Sequence, residues 1–363
     1  MVTAKRTSVA LAESIMVRFP NSDDIPFRPW CYVQGYVLSG FEMLYQYTGE
    51  HKYLDYVLRF VDQHVGERGD IRGFTGHDLD NMMAGTAVIA AYEKTGQDKY
   101  RLAAQKIREA FNDYPRNSDG GFWHSRALPH EMWIDGVFMG QMFLTRYGVA
   151  IGDQAYCFHE AARQILILAR HCRKEDSGLF LHAYDEARHA AWADPVTGLS
   201  PEVWSEGLGW YALVLVETLK VLPLDHPQRA EVMNILLGLA EGLSKTQDPK
   251  TGLWYQVVDK GDRADNWHDT SGSAMFVYML QRAIDLGYVS ADRYGPAVRQ
   301  GYEGILSKAV TNEAGLVDIF DACDGVCVQP SYDVYINYPK RVNAKEAVGS
   351  VLWATAIVEK PHG

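Results

Sequence analysis

Two kinds of segment alternate along the chain. Residues 136–147 are apolar almost all round, with Val137, Phe138, Met139, Met142, Phe143 and Leu144 on every side of a helical wheel. Residues 207–222 match this apart from Glu217, Thr218 and Lys220, and residues 272–284 and 349–358 are similar. A helix that is apolar on all sides is buried on all sides. Other segments keep one wet face. Residues 53–65 set Tyr53, Tyr56, Val57, Phe60 and Val61 on one side. Residues 99–111 mix Leu102, Ala103, Ile107 and Phe111 with lysine and arginine. Residues 8–19, carrying Glu13 and Arg18, form a further amphipathic helix. The pattern predicts buried helices alternating with half-wet ones.

The alternation repeats every ~50 to 75 residues, a period that points to a repeat architecture. Each buried helix starts near a glycine: Gly35, Gly85, Gly136, Gly207, Gly272 and Gly349. Glycine is a poor helix former, so its recurrence needs a reason, and close approach of neighbouring helices would supply one. Three turns also rhyme. Gly49, Gly96 and Gly152 are each followed four residues later by a tyrosine (Tyr53, Tyr100, Tyr156), as expected of glycine helix caps. Gly121-Phe122-Trp123, Gly178-Leu179-Phe180, Gly252-Leu253-Trp254 and Gly315-Leu316-Val317 read as short extended pieces ahead of inner helices. The predicted fold is all-α, an (α/α)6 toroid with short β pieces in its mouth loops. Residues 1–363 read as a single catalytic domain, with no linker or low-complexity tract.

Composition narrows the function. The formal charge is −11 and no dense run of Lys and Arg appears, which argues against a nucleic-acid partner. No stretch approaches the ~18 apolar residues of a membrane span. Cys31, Cys157, Cys172, Cys323 and Cys327 are odd in number. The lone C-x3-C of the last two lacks a second pair, so no zinc site is expected. A reducing, cytoplasmic location fits this cysteine usage, or a periplasmic one had a leader been removed. The 9 Trp and 21 Tyr supply flat faces of the kind that suit sugar rings.

The starts of the inner helices carry the candidate chemistry. Trp30 precedes Gly35, Asp80 precedes Gly85, and Trp133 and Asp135 precede Gly136. Trp204 and Glu206 precede Gly207, and Trp267 and Asp269 precede Gly272. An acid at a helix N-terminus can simply be a cap. Several acids converging on one barrel mouth beside tryptophans can instead split their pKa values, one holding its proton. Keeping an Asp protonated near neutrality takes a shift of ~2 to 3 units, or ~3 to 4 kcal/mol. The expectation is that Asp135 is that acid, with Asp80 its neighbour. His124, His182 and His268 lie on mouth loops, but no short H-x-x-H spacing accompanies them, so sugar hydroxyls are the expected partners and no metal is called.

Five stretches then resemble one family: Met132-Trp133-Ile134-Asp135-Gly136, Leu181-His182-Ala183-Tyr184-Asp185, Trp192-Ala193-Asp194-Pro195, Ser200-Pro201-Glu202-Val203-Trp204 and Thr270-Ser271-Gly272-Ser273-Ala274. Together they resemble glycoside hydrolase family 105, the unsaturated rhamnogalacturonyl hydrolases and their relatives. The resemblance implies removal of a 4,5-unsaturated uronic acid from the non-reducing end of lyase-made oligosaccharides by hydration of a vinyl ether. It implies neither metal nor organic cofactor. The expected partner is an unsaturated oligosaccharide, and the chain is expected as a monomer or homodimer, a choice the sequence does not make. Carried onto this chain, it makes Asp135 the general acid/base and Asp80 the second carboxylate. His124, Trp133, His182, Trp204 and Trp210 match pocket positions, and Tyr32 or Tyr36 contributes from the first inner helix. One departure concerns the uronate: many members carry Arg where this chain has Glu206. Its cation would then come from Lys340, Arg341 or Lys345.

Other readings remain at this stage. A sugar 2-epimerase on the same fold would need His182 and His268 facing each other, and a non-catalytic toroid would simply bind carbohydrate. The residues do not distinguish unsaturated galacturonate from glucuronate, nor name the adjoining sugar.

Overall fold

The computed structural model describes residues 6–361. Outer α1 (Thr7–Arg18) is followed by inner α2 (Tyr32–Thr48), outer α3 (His51–His64), and a broken inner helix, α4 (Asp80–Met83) and α5 (Gly85–Thr95). Then come outer α6 (Asp98–Glu109), inner α7 (Ile134–Ala150), outer α8 (Gln154–Cys172), inner α9 (Ser205–Val221) and outer α10 (Arg229–Thr246). Inner α11 (Thr270–Asp285), outer α12 (Ala291–Lys308), the short α13 (Tyr332–Ile336) and inner α14 (Lys345–Val358) complete the chain. The inner helices touch in sequence, α2 to α5, α7, α9, α11 and α14, and α14 returns to α2. Each of α3, α6, α8, α10 and α12 packs outside the inner helix that precedes it, and α1 packs on α14. The (α/α)6 toroid expected from the alternation is therefore the fold.

The two ends of the chain close the ring chemically. The Glu359 carboxylate accepts from the Thr7 and Ser8 N–H groups, each at 3.0 Å, and from the Tyr302 hydroxyl at 2.6 Å. A remote carboxylate thus satisfies orphan donors at the start of α1, where the helix dipole favours negative charge.

The glycine ladder has the reason expected of it. A Cβ on Gly35 would sit 2.4 Å from the Met83 carbonyl oxygen, and one on Gly272 would sit 2.7 Å from the Ser205 carbonyl carbon. At these two positions backbone of one inner helix lies directly against backbone of the next, whereas Gly85, Gly207 and Gly349 meet side chains of the neighbouring inner helix, Phe143, Ile134 and Tyr36. Gly35→Ala should therefore destabilise the fold by about 1 to 3 kcal/mol, since backbone cannot yield as a side chain can. A denaturant melt in which this variant matches the parent would refute the account. The rhyming turns divide. Gly49 and Gly96 are left-handed C-caps at φ 71° and 67°. After α7 the left-handed residue is instead Asp153, at φ 58°, which precedes α8.

Among the described residues three antiparallel strand pairs decorate the mouth loops: β1 (Glu131–Trp133) with β2 (Ala183–Asp185), β3 (Ala309–Thr311) with β4 (Val317–Ile319), and β5 (Ala322–Cys323) with β6 (Lys340–Arg341). The excursion from β5 through α13 to β6 builds a small core of its own, in which Tyr332, Tyr335 and Val326 pack on Trp204. No described helix is long and apolar enough to cross a membrane.

Candidate active site

One backbone stitch recurs round the mouth. An N–H at the start of an inner helix donates to a carbonyl of the next mouth loop: Leu79 to His124, Ile134 to His182, Ser205 to Gln256 and Thr270 to Asp321, at 2.9 to 3.1 Å. Each loop is thereby held against the helix start before it. At one such junction β1 and β2 pair Trp133 with Ala183.

The stitched mouth encloses a cavity of about 330 Å³. Tyr32, Asp80, His124, Trp133, Asp135, Trp204, Glu206 and Trp210 all line it. Tyr36 and His182, also expected to touch ligand, are set behind the wall. Tyr36 is buried edge-on to Trp210, with ring centroids 4.7 Å apart. His182 is fully buried, its Nε2 3.0 Å from Asp135 Oδ2 and its Nδ1 2.7 Å from the Tyr335 hydroxyl. With Nε2 carrying the proton, His182 donates to Asp135 and accepts from Tyr335. Asp135 is the second residue of α7 and caps nothing, so its carboxyl is held by this relay. By contrast, Asp269 is a buried cap, accepting from Gly272 N–H at 2.7 Å and Cys323 N–H at 3.1 Å.

The Asp80 carboxyl is pushed upward, to about 6. Burial is the main cause, with Asp78 and Asp135 adding to it, and His124 and Arg28 pull the other way. Asp80, the first residue of α4, thus sits mostly buried beside two other carboxylates. His124 stacks on Trp133, centroids 4.3 Å apart, and its Nε2 is 3.8 Å from Asp80 Oδ1.

The three candidate cations separate. Lys340 lies over Trp267, and Arg341 pairs with Asp324 at 2.6 Å; both are exposed, and neither lines the cavity. Lys345 does line it, as does Arg28. His268 pairs with Asp248 at 2.9 Å and is absent from the wall, so the facing histidines of an epimerase are not formed. Cys323 is buried and Cys327 is on the cavity wall, where burial, Asp135 and Asp80 push its thiol upward. Among the described residues no cluster of His, Cys, Asp and Glu is arranged to hold a metal ion.

A second cavity, of about 260 Å³, opens at the other ends of the inner helices. Its charges are already matched: Arg146 forks onto Glu42 at 2.7 and 2.9 Å, and Arg282 meets Glu217 at 2.9 Å. It clamps helix ends, whereas the mouth cavity holds excess acid.

The sequence profile of glycosyl hydrolase family 88 matches residues 7–361. The chain belongs to that family. The hydrolase is also similar to the solved family 105 glycoside hydrolase of C. acetobutylicum, with a TM-score of 0.92 and 30% identity over 98% of this chain and 99% of that one. A 24.9 kDa protein in the picA locus of Rhizobium radiobacter is 31% identical over 230 residues, 60% of this chain and 97% of its own. The unsaturated glucuronyl hydrolase of Bacillus sp. GL1 shares the fold, with a TM-score of 0.71 and 14% identity over 97% of this chain and 94% of that one. The resemblance to family 105 seen in the sequence thus extends along 98% of this chain.

Several wall residues of the hydrolase escaped the sequence reading. Glu346 was within reach of it: an acid shortly before the inner-helix glycine, here Gly349, also precedes four of the other five, Gly85, Gly136, Gly207 and Gly272. Phe27, Arg28, Asp78, Val326 and Cys327 sit on irregular loops, where no period marks them.

Proposed function

We propose that this hydrolase removes a 4,5-unsaturated uronic acid from the non-reducing end of lyase-generated, pectin-type oligosaccharides such as those from rhamnogalacturonan, with Asp135 as general acid/base. The observation that carries the reading is that Asp135 and Asp80 share one tryptophan-walled cavity, with Asp135 fixed by His182. Asp135 gives its proton to C4, and positive charge develops at C5 and the ring oxygen. Water adds to C5, returning a proton to Asp135. The hemiketal so formed opens and releases the aglycone. No bond from enzyme to sugar is required, unlike the two-carboxylate displacement of retaining glycosidases. Trp133 and Trp204 contribute apolar wall to the cavity that receives a sugar ring flattened by its double bond. Because C4 is trigonal in the substrate, the centre at which galacturonate and glucuronate differ is erased, and one pocket serves both parents. A similar protein bearing the name unsaturated glucuronyl hydrolase supports the same chemistry.

The direct test is loss of the ultraviolet absorbance of the unsaturated uronate in a panel of lyase-made di- and tetrasaccharides. Cleavage of saturated glycosides alone would defeat the reading. The pH profile adds a second check. Asp80 stays neutral up to about 6. Above that it places another negative charge beside Asp135 and an anionic sugar, so kcat/KM should fall as pH rises through about 6. Asp80→Asn, neutral at every pH, should lower activity yet lose that limb; a limb that persists would remove Asp80 from this role.

A further inference from the structure

The cavity that receives an anionic sugar is lined by five carboxyls, Asp78, Asp80, Asp135, Glu206 and Glu346, against the cations Arg28 and Lys345. The uronate carboxylate needs a partner in this surplus of acid. Arg28 is already committed: it lies 3.1 Å from Asp78 and 3.6 Å from Asp80, and it is half exposed at the rim. Lys345 is the better placed. Its side chain is mostly buried, and its ammonium lies 5.3 Å from the centroid of the Phe27 ring. Two of its three N–H groups have acceptors, Glu346 Oε1 at 2.7 Å and the Asp324 carbonyl at 3.2 Å. The third is left for a ligand.

A second, independent observation lies beside it. Glu206 and Glu346 are each only 1% exposed and both line the cavity, yet each has a carboxyl oxygen, Oε2, without a hydrogen-bond partner. Buried polar atoms are seldom left so. Glu346 is held by Lys345 and by the Tyr32 hydroxyl. Among the described residues no cation pairs directly with Glu206. Burial first, then Glu346 and Asp269, push it well above the carboxylate range, while Lys345 pulls it back. Tyr32 and Tyr36 from α2 and Cys323 from β5 complete its titratable surroundings. A neutral acid carries one O–H to donate.

Building on the uronyl reading above, we propose that Lys345 and Glu206 together hold the substrate carboxylate, the ammonium meeting one oxygen and the Glu206 O–H donating to the other. A glutamic acid thereby does in this chain what a guanidinium does elsewhere: it offers a donor to an anion. Its directional O–H takes one oxygen and leaves the point charge of Lys345 to the second.

The test compares an unsaturated uronyl disaccharide with its methyl ester, which has the same shape without the charge. Lys345→Met should raise KM for the acid by about 30-fold, the scale of a lost charge-assisted hydrogen bond. KM for the ester should change less than about threefold, which also shows that the variant is folded. Lys345→Arg should recover most of the loss. Glu206→Gln should raise KM for the acid several-fold and abolish any rise in KM that comes from Glu206 losing its proton. Equal KM changes for acid and ester, or none, would overturn the assignment. Calorimetric binding of the disaccharide in an Asp135→Asn background keeps the two proposals apart. Weaker binding on adding Lys345→Met upholds carboxylate recognition even if the parent turns nothing over, which would sink only the reaction. No binding to the parent background would overturn both.

Discussion

Asp135→Asn is expected to lower kcat by about a thousandfold or more, the upper part of the range for a lost general acid. Asparagine has the same shape, and its Oδ1 can still accept from His182, so the wall of the cavity stays as it is. What it loses is the ability to pass a proton to carbon and take one back from water. Binding of the unsaturated disaccharide should stay within about threefold of the parent, since uniform binding is not what has been removed. Both quantities are readable, the first from the decay of absorbance and the second by calorimetry. Turnover within tenfold of the parent would mean that another group is the acid. Loss of binding together with turnover would mean that Asp135 merely shapes the pocket.

The second large effect is expected at His182→Ala, about a hundredfold in kcat with KM nearly unchanged. His182 lies outside the cavity wall and acts through Asp135, so it is a positioning residue. Misplacing a reacting group by ~1 Å can cost that much. The change also strips a partner from Asp135 and from Tyr335, and a cost of about 1 to 3 kcal/mol in stability should accompany it. His182→Gln, which keeps an N–H able to reach Asp135, should restore most of kcat. If His182 served only the fold, stability would fall without this split between kcat and KM, and glutamine would rescue nothing beyond stability.

The physical character of the site is a surplus of carboxyls in a confined, aromatic space. Such a space admits an anion only where protons or cations offset it. Asp80, neutral up to about 6, does this beside Asp135, and Lys345 does it on the opposite strut, at the start of α14. Activity and carboxylate binding should consequently respond to pH through different residues. Asp80→Asn should alter the limb of activity near 6, and Glu206→Gln the pH dependence of carboxylate binding.

Much of this protein was legible along the chain because helices are local. Apolar residues on every side of residues 136–147 require burial without reference to the rest of the fold, and a glycine repeated at six helix starts reports a close approach. The same repetition pointed to the acids at the mouth, Asp80, Asp135 and Glu206. What the chain could not show is how its distant parts divide the work. Asp80, Asp135 and Asp269 look alike in sequence, each an acid ahead of a glycine. Only the packed ring makes one a buried cap, one a carboxyl tied to a histidine, and one an acid pushed to about 6. Lys340, Arg341 and Lys345 are equally plausible cations by position, yet only Lys345 reaches the cavity. Periodicity is written residue by residue, whereas burial and charge depend on neighbours up to hundreds of positions away, so the first was readable from sequence and the second was decided by the closed ring.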